Sequence, residues 1–483
     1  MVEKNQWNSQ LSFLLAMIGA AVGLGNIWRF SYVLYSNGGG AFFIPYLVAI
    51  AIMGIPFLIL EYGIGFSFKD SFTNIFKRIN PKLEILSWIL VLLVFFVVIY
   101  YVVIISWDFI YLLSSFNFAW GSDPALYFVK SVGGSSNLSN FTSILLPTLV
   151  GVLLVWFSIW YISHKDLNSG IGMFSKILIP LLFVIMAFII IYSLSLPGAG
   201  IGIAALLNPD WFSLTNVNIW LAAFSQIVFS LSLGQAISIS YASYLPEKSK
   251  LSDNVLIVVA SNCLFEVFTA FGVFSVLGYM SFTSGTPIIQ LVSEGTGLVF
   301  IVFPMIFNIM GPIGHILAPL LFIAILFAGI TSAIGIFEPM VNSTLHKFNW
   351  SRKKTVSVLS IIGCMLSLVF TTGCGSYLVE IVDSFINAFG IIILIAIQCI
   401  VFAWFYDIDS LIPVLNENNK FKVGKLWKLI VKYVLPIFLI VIWAMGVYNS
   451  VFKADSFTCM VYEIITVVVL IFSIILTKIN SKS

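Results

Sequence analysis

Charge is scarce in this chain: only 9% of its 483 residues are Asp, Glu, Lys or Arg, while 60% are hydrophobic. A soluble core of this length encloses far less apolar surface, so a lipid bilayer must take up the remainder. Histidine is rarer still. The three present, His164, His315 and His346, are not paired as metal ligands, which leaves a membrane-embedded enzyme without a catalytic constellation. The five cysteines (Cys263, Cys364, Cys374, Cys399 and Cys459) lie in or near apolar segments, have no metal-ligand spacing and define no framework. No phosphate loop of the G-x-x-x-x-G-K-[ST] type occurs, so an ATP-driven pump has no support. The net charge of +3 is too small to suggest nucleic acid as a partner. No cleavable signal peptide is evident, because the first apolar run is too long and continues into a Gly-rich stretch.

What is present is a succession of apolar runs, such as 86–113 and 177–194, each long enough to cross roughly 30 Å of hydrocarbon as a helix. Basic residues fall between pairs of these runs. The clusters are Lys69, Lys77, Arg78 and Lys82; Lys165 and Lys176; Lys248 and Lys250; Lys347, Arg352, Lys353 and Lys354; Lys420 through Lys432; and Lys478 with Lys482. If each cluster marks the cytoplasm, an even number of spans separates it from the next. The pattern predicts an all-α, multi-pass plasma-membrane protein of about twelve transmembrane helices, residues 1–483 forming one domain with both termini cytoplasmic. The run 298–310 is short, ends at Gly311-Pro312 and would break this parity; it reads as a loop or hairpin on the outer membrane surface. The sequons at Asn137 and Asn140 fall in an outer loop and matter only in a glycosylating cell.

Two spans carry interruptions, the first at Gly19-Ala20-Ala21-Val22-Gly23-Leu24-Gly25-Asn26 and the sixth at Phe229-Ser230-Leu231-Ser232-Leu233-Gly234-Gln235. Glycine and small hydroxyl residues in mid-membrane let a helix unwind, freeing backbone groups that an ion, a polar ligand or a water-lined cavity must satisfy. Either stretch alone serves equally as a close-packing surface between helices. Their matching positions, five spans apart, point instead to a central site between two inverted repeats, where half-helix N-termini favour a carboxylate and C-terminal carbonyls a cation.

The motif Gly19-Ala-Ala-Val-Gly-Leu-Gly-Asn-Ile-Trp-Arg-Phe30, followed by Asn37-Gly-Gly-Gly-Ala-Phe-Phe-Ile-Pro-Tyr46 and Gly54-Ile-Pro56…Glu61, closely resembles the start of the neurotransmitter:sodium symporter family. Tyr100-Tyr101, Gln226…Phe229-Ser-Leu-Ser-Leu-Gly234, Tyr241-Ala-Ser-Tyr244 and Ala328-Gly-Ile-Thr-Ser332 extend the likeness over nearly the whole chain. The resemblance implies two inverted five-helix repeats, 8–193 and 216–406, with helices 1 and 6 broken, plus two C-terminal helices within 427–478. It implies import of a neutral, hydrophobic or aromatic amino acid by sodium-coupled symport and alternating access. The partners are then the amino acid, two sodium ions and the bilayer, with no organic cofactor and a monomeric or dimeric state. A receptor or channel-like derivative of the same fold would bind without concentrative uptake.

Carried over by position, the first sodium site would use the Ala21 carbonyl, Asn26, Ser230, Asn262 and the substrate carboxylate. The second would use carbonyls of Gly19, Val22 and Ala328 with the hydroxyls of Thr331 and Ser332, although hydroxyls in a helix commonly bond back to their own carbonyls. Substrate would meet Ala21, Leu24, Gly25, Val97, Tyr101, Phe229, Ser232, Gln235, Ser332 and Ile336. Gln235 departs from the bacterial leucine transporter, which carries an aromatic residue there. Glu266, one helical turn after Asn262, resembles the chloride-independent pattern in which a carboxylate supplies the charge that chloride provides in animal members; a structural ion pair or a protonated packing residue is the alternative.

Arg29 and Asp383 match the family's outer gate, while Arg29 alone reads equally as an interfacial snorkelling residue. Lys4, Trp7 and Tyr244 match the inner gate, but the acid expected near the end of the eighth helix is His346, which weakens the inner gate pair or moves it to another acid. Gly170 and Pro180 have the Gly-x9-Pro spacing of the fifth-helix segment that unwinds on inward opening, and helix capping by Gly170 accounts for the glycine as well.

Overall fold

The computed structural model describes residues 6–138, 140–292 and 295–479; Lys4, expected at the inner gate, lies outside them. Among the described residues ten helices are apolar and long enough to cross a membrane. They are Gly39–Phe68, Pro81–Ser114, Leu146–Ser163, Asn168–Leu194, Leu251–Ser284, Leu298–Phe348, Arg352–Thr371, Gly375–Phe405, Lys425–Tyr448 and Ser456–Lys478. Gln10–Ala21 and Gly25–Ser36, bent by 54° at their junction, form an eleventh. Val217–Ser230 with Ile237–Ala242 supplies the twelfth, again in two pieces. In chain order the two broken helices are the first and the sixth spans.

The 51-residue apolar stretch Leu298–Phe348 is not one span. Gly311 takes φ 62°, a left-handed conformation that glycine adopts without penalty, and the chain turns there before Gly314–Phe348 begins the eighth span. The preceding piece folds back, with the Phe307 ring 6.4 Å from Phe322. The expected hairpin at 298–310 is therefore present.

The basic loops converge on one end of the bundle. Lys347 pairs with Glu84 at 2.6 Å and Lys77 reaches the same carboxylate at 3.5 Å. The Arg352 guanidinium donates to the Ser163 carbonyl at 2.9 Å, Lys69 to the Leu245 carbonyl, and the Lys420 amide to Asp253 at 3.1 Å. Five inter-helix connections thus meet at one face, as an even number of spans between basic clusters requires. Many side chains facing outward are large and apolar: Ile191 and Ile437 are 69% and 65% exposed, which suits contact with lipid rather than water.

Gly38-Gly39-Gly40 marks where two segments pack backbone to backbone. Gly38 and Gly39 take φ of 93° and 57°, and a Cβ on Gly39 or Gly40 would lie 2.4 Å from the carbonyl oxygens of Asn208 or Leu207. The helix Ala199–Leu207 meets the seventh span equally closely, since a Cβ on Gly202 would lie 1.7 Å from the Phe274 carbonyl oxygen. Close approach through small residues is how helices associate where water supplies no driving force. Gly202→Ala is expected to destabilise the protein by about 1–3 kcal/mol through overpacking. Thermal unfolding in detergent checks this, and a midpoint equal to wild type would mean that these helices separate without cost.

Candidate functional site

Both interruptions are stabilised by side chains that take over freed backbone groups. In the first span the helix stops at Val22, whose ψ of 91° is extended. The Gly23 amide then donates to Asn26 Oδ1 at 2.9 Å and the Leu24 amide to the Tyr101 hydroxyl at 3.1 Å. In the sixth span Ser232, Gly234 and Ala236 take φ of 50°, 73° and 60°. Ser232 and Ala236 are not glycine, so this left-handed backbone carries strain that the surroundings hold in place. Ser232 Oγ donates to the Ala20 carbonyl at 3.2 Å, tying the two breaks together, and Gln398 Nε2 from the tenth span donates to the Gly234 carbonyl at 2.8 Å.

Between the breaks lies a cavity of about 1000 Å³. All ten residues expected to meet substrate line it: Ala21, Leu24, Gly25, Val97, Tyr101, Phe229, Ser232, Gln235, Ser332 and Ile336. Nothing would lie within 4 Å of a Cβ on Gly25, so the start of the second half-helix faces open space. The Leu24 N–H and the Tyr101 hydroxyl converge beside it, a pair of groups able to hold a carboxylate at a helix N-terminus. Val97, Phe229 and Ile336 supply an apolar wall, and Ile104, which sequence reasoning did not single out, joins them.

Of the residues expected around the first ion, Asn26, Ser230 and Asn262 form one buried network. Asn26 Nδ2 donates to Asn262 Oδ1 at 2.8 Å and to Glu266 Oε1 at 3.2 Å, and Asn262 Nδ2 donates to Ser230 Oγ. Glu266 is wholly buried and also accepts from the Tyr46 hydroxyl at 2.6 Å and from Gln226 Nε2 at 2.9 Å. With Asn26 from the first span, Ser230 from the sixth and Asn262 and Glu266 from the seventh, three spans contribute oxygen atoms, one of them through a carboxylate. Such a hard donor set suits a small cation.

At the second expected site Gly19 faces Thr331, a Cβ on Gly19 lying 3.1 Å from Thr331 Cβ. Thr331 Oγ1 bonds back to the Phe327 and Ala328 carbonyls at 2.8 and 3.1 Å, the local arrangement that helix hydroxyls commonly adopt. Ser332 Oγ instead crosses to the Ala20 carbonyl at 3.3 Å. Val22 and Ala328 are buried.

At the end of the cavity away from the basic loops, Arg29 lies over the Phe229 ring, its Cζ 4.1 Å from the centroid, and reaches Ser225 Oγ at 3.4 Å. Asp383 accepts from the Tyr100 hydroxyl at 2.6 Å, and both residues expected at the outer gate line the cavity. At the basic end, Trp7 and Tyr244 do not line the cavity. Trp7 is 3% exposed, its indole N–H donating to the Tyr241 carbonyl at 2.9 Å and its amide to the Tyr244 carbonyl at 3.0 Å.

A buried acid at this end is Glu338. Its buried carboxylate takes two bonds from Arg352, at 2.7 and 2.8 Å, and one from the Tyr244 hydroxyl at 3.2 Å. Among the described residues, the hydrogen bond of His346 is to the Asn342 carbonyl of its own helix, at 2.9 Å. Sequence reasoning passed over Glu338, although an acid inside an apolar helix at Phe337-Glu338-Pro339 was a visible signal. Asn168 was likewise missed. It accepts from the Asn8 amide at 2.9 Å and donates to the Gln6 carbonyl at 2.7 Å, clipping the N-terminal segment to the first turn of the fifth span. That turn, Asn168–Gly172, is a wide π turn in which a Cβ on Gly170 would lie 2.4 Å from the Ile162 carbonyl oxygen. Close packing, rather than capping, accounts for Gly170.

A helical bundle with two spans broken at matching places around one cavity, which reaches Arg29 and Asp383 and does not reach Trp7 and Tyr244, has the arrangement of a secondary membrane transporter. The profile of the Sodium:neurotransmitter symporter family matches residues 4–131 and 121–480, and the chain belongs to that family: it is a sodium-dependent symporter that spans the membrane many times. It is 40% identical, over 91% of its length and 89% of the relative's, to the uncharacterized sodium-dependent transporter MJ1319 of Methanocaldococcus jannaschii. It is 30% identical to the sodium-dependent serotonin transporter of Drosophila melanogaster, over 92% of this chain and 76% of that one. Among solved structures it resembles MhsT in complex with L-phenylalanine, with a TM-score of 0.76 and 30% identity, covering 92% of this chain and 99% of that one. The likeness confirms the all-α fold with inverted repeats and broken first and sixth spans.

Proposed function

We infer that the protein imports a neutral, hydrophobic or aromatic amino acid across the plasma membrane together with two sodium ions, and that it does so without chloride. The basic loops mark the cytoplasm, so both termini face inward. The cavity then opens outward, between repeats taken as 8–193 and 216–406, with 427–478 adding the last two helices. The observation that carries this reading is the convergence of all ten expected substrate residues on one cavity whose wall continues into the Asn26–Asn262–Glu266 network.

In this scheme the Tyr101 hydroxyl and the Leu24 and Gly25 amides hold the substrate carboxylate, and carbonyls around Phe229 and Ser232 hold its ammonium. The carboxylate completes the first sodium site beside Ala21, Asn26, Ser230 and Asn262, which links substrate binding to ion binding thermodynamically. Glu266 supplies the fixed negative charge nearby. Gly19, Val22, Ala328, Thr331 and Ser332 hold the second sodium, once Thr331 turns from its own helix toward Gly19. Closure of Arg29 and Asp383 over substrate precedes release of Trp7 and Tyr244 and unwinding of the fifth span between Gly170 and Pro180. MhsT, whose solved complex contains L-phenylalanine, lends the substrate class support by similarity.

The test is uptake of labelled amino acids into proteoliposomes under an inward sodium gradient, with and without chloride. Accumulation that needs sodium alone supports the reading; sodium-dependent binding without accumulation would favour a receptor-like derivative of the fold. Tyr101→Phe removes a hydrogen bond to a charged group, worth about 1.5–3 kcal/mol. Substrate affinity at saturating sodium is accordingly expected to fall roughly tenfold to a hundredfold. An unchanged affinity would remove Tyr101 from the carboxylate site.

A further inference from the structure

Within the cavity, Gln235 is out of keeping with its neighbours. Val97, Ile104, Phe229 and Ile336 are apolar, and the nearby hydroxyls already have partners: Ser232 and Ser332 donate to the Ala20 carbonyl, and Tyr101 accepts from the Leu24 amide. Gln235 lines the same cavity, is 5% exposed, and its Oε1 is sealed from water with no hydrogen-bond partner among the described residues. A buried acceptor without a partner is unfavourable, and a bound group that donates to it removes the penalty.

The backbone gives Gln235 little freedom to turn away. It sits between Gly234 at φ 73° and Ala236 at φ 60°, inside the break. Behind Gly234 a Cβ would lie 2.2 Å from Ile395 Cγ1, and Gln398 holds the Gly234 carbonyl. The tenth span therefore pins this turn against the cavity. Because the carboxylate-binding groups lie on the first span, at Leu24 and Gly25, a residue on the sixth span that lines the same cavity as Val97 and Ile336 is placed to meet the substrate's side chain.

We propose that Gln235 is a specificity-determining residue, which makes the preferred substrate a large amino acid whose side chain ends in a hydrogen-bond donor, such as an indole N–H or a phenol O–H. This rests on the amino-acid symport reading and narrows it. A site built to pair a polar substrate group rejects the analogue that lacks it far more strongly than a site that merely measures size.

The experiment compares isosteric pairs for sodium-dependent uptake by the full-length protein in proteoliposomes. The pairs are tyrosine with phenylalanine, and tryptophan with its benzothiophene analogue, in which sulfur replaces the N–H. Leucine reports apolar side chains. The donor-bearing member of each pair is expected to win by roughly tenfold or more in wild type. In Gln235→Leu that ratio falls to near one or inverts. The wild-type ratios stand on their own if Gln235→Leu fails to fold. Sodium-driven uptake in which phenylalanine or leucine equals or exceeds tyrosine and tryptophan overturns the assignment of Gln235 and leaves the symporter reading intact. Absence of sodium-driven uptake of any amino acid overturns both.

Discussion

Glu266→Ser is expected to abolish chloride-independent, sodium-driven uptake, lowering apparent sodium affinity more than a hundredfold, with partial recovery when chloride is added. The carboxylate is fully buried and is held by the Tyr46 hydroxyl at 2.6 Å, Gln226 Nε2 at 2.9 Å and Asn26 Nδ2 at 3.2 Å. Removing one partner from a buried charge interaction costs about 3–5 kcal/mol, and each 1.4 kcal/mol is a factor of ten. Serine also leaves space lined by three donors and lacking a negative charge, a setting that an anion fits. Glu266→Gln removes the charge but fills the space, so it is expected to be inactive with or without chloride. Sodium titrations of uptake in gluconate and chloride buffers separate these cases. Full activity of Glu266→Ser in gluconate would mean that the cation site gets its negative charge elsewhere.

The features legible in the sequence were those written into composition and local backbone chemistry. Apolar runs and basic clusters gave the span count, because hydrocarbon thickness and loop charge act on each segment separately. The breaks were legible because Gly23 and Gly234 stand where a helix would otherwise continue, and the hairpin at 298–310 because Gly311-Pro312 ends its helix. The ten cavity residues came from ordered motifs and not from spacing, since Val97, Ser232 and Ile336 reach one cavity only after three separate spans have packed. Pairings that depend on how spans lie against one another were out of reach. Glu338 and Arg352 are 14 positions apart on different helices, and Asn168 lies 160 positions from Asn8. For Thr331, hydroxyl chemistry in a helix anticipated its bonds to Phe327 and Ala328, whereas Ser332 crosses to the first span because the break there exposes the Ala20 carbonyl.

Arg352→Ala should unlatch the basic end of the bundle. Glu338 is fully buried, and apart from the two Arg352 bonds its described contact is the Tyr244 hydroxyl, a neutral donor at 3.2 Å. A buried carboxylate stripped of its cation is destabilised by about 3–5 kcal/mol, and the least costly relief is to open the structure and hydrate it. Tyr244 would move with Glu338. The Trp7 amide donates to the Tyr244 carbonyl at 3.0 Å, and Asn168 joins the same N-terminal segment to the fifth span, so opening is expected to spread along that path. Hydrogen exchange in the peptides covering Gln6–Ser12 and Asn168–Gly172 should speed up in Arg352→Ala even with sodium present, and uptake should fall by about a hundredfold or more. Adding Glu338→Gln removes the orphan charge while keeping the shape, so the double variant should regain most of the exchange protection, as paired removal of two interacting groups commonly does. If the double variant exchanges as fast as Arg352→Ala, the charge pair is not what holds this end closed. The bonds from Arg352 to the Ser163 and Lys165 carbonyls, at 2.9 and 3.2 Å, would then be the ones that matter.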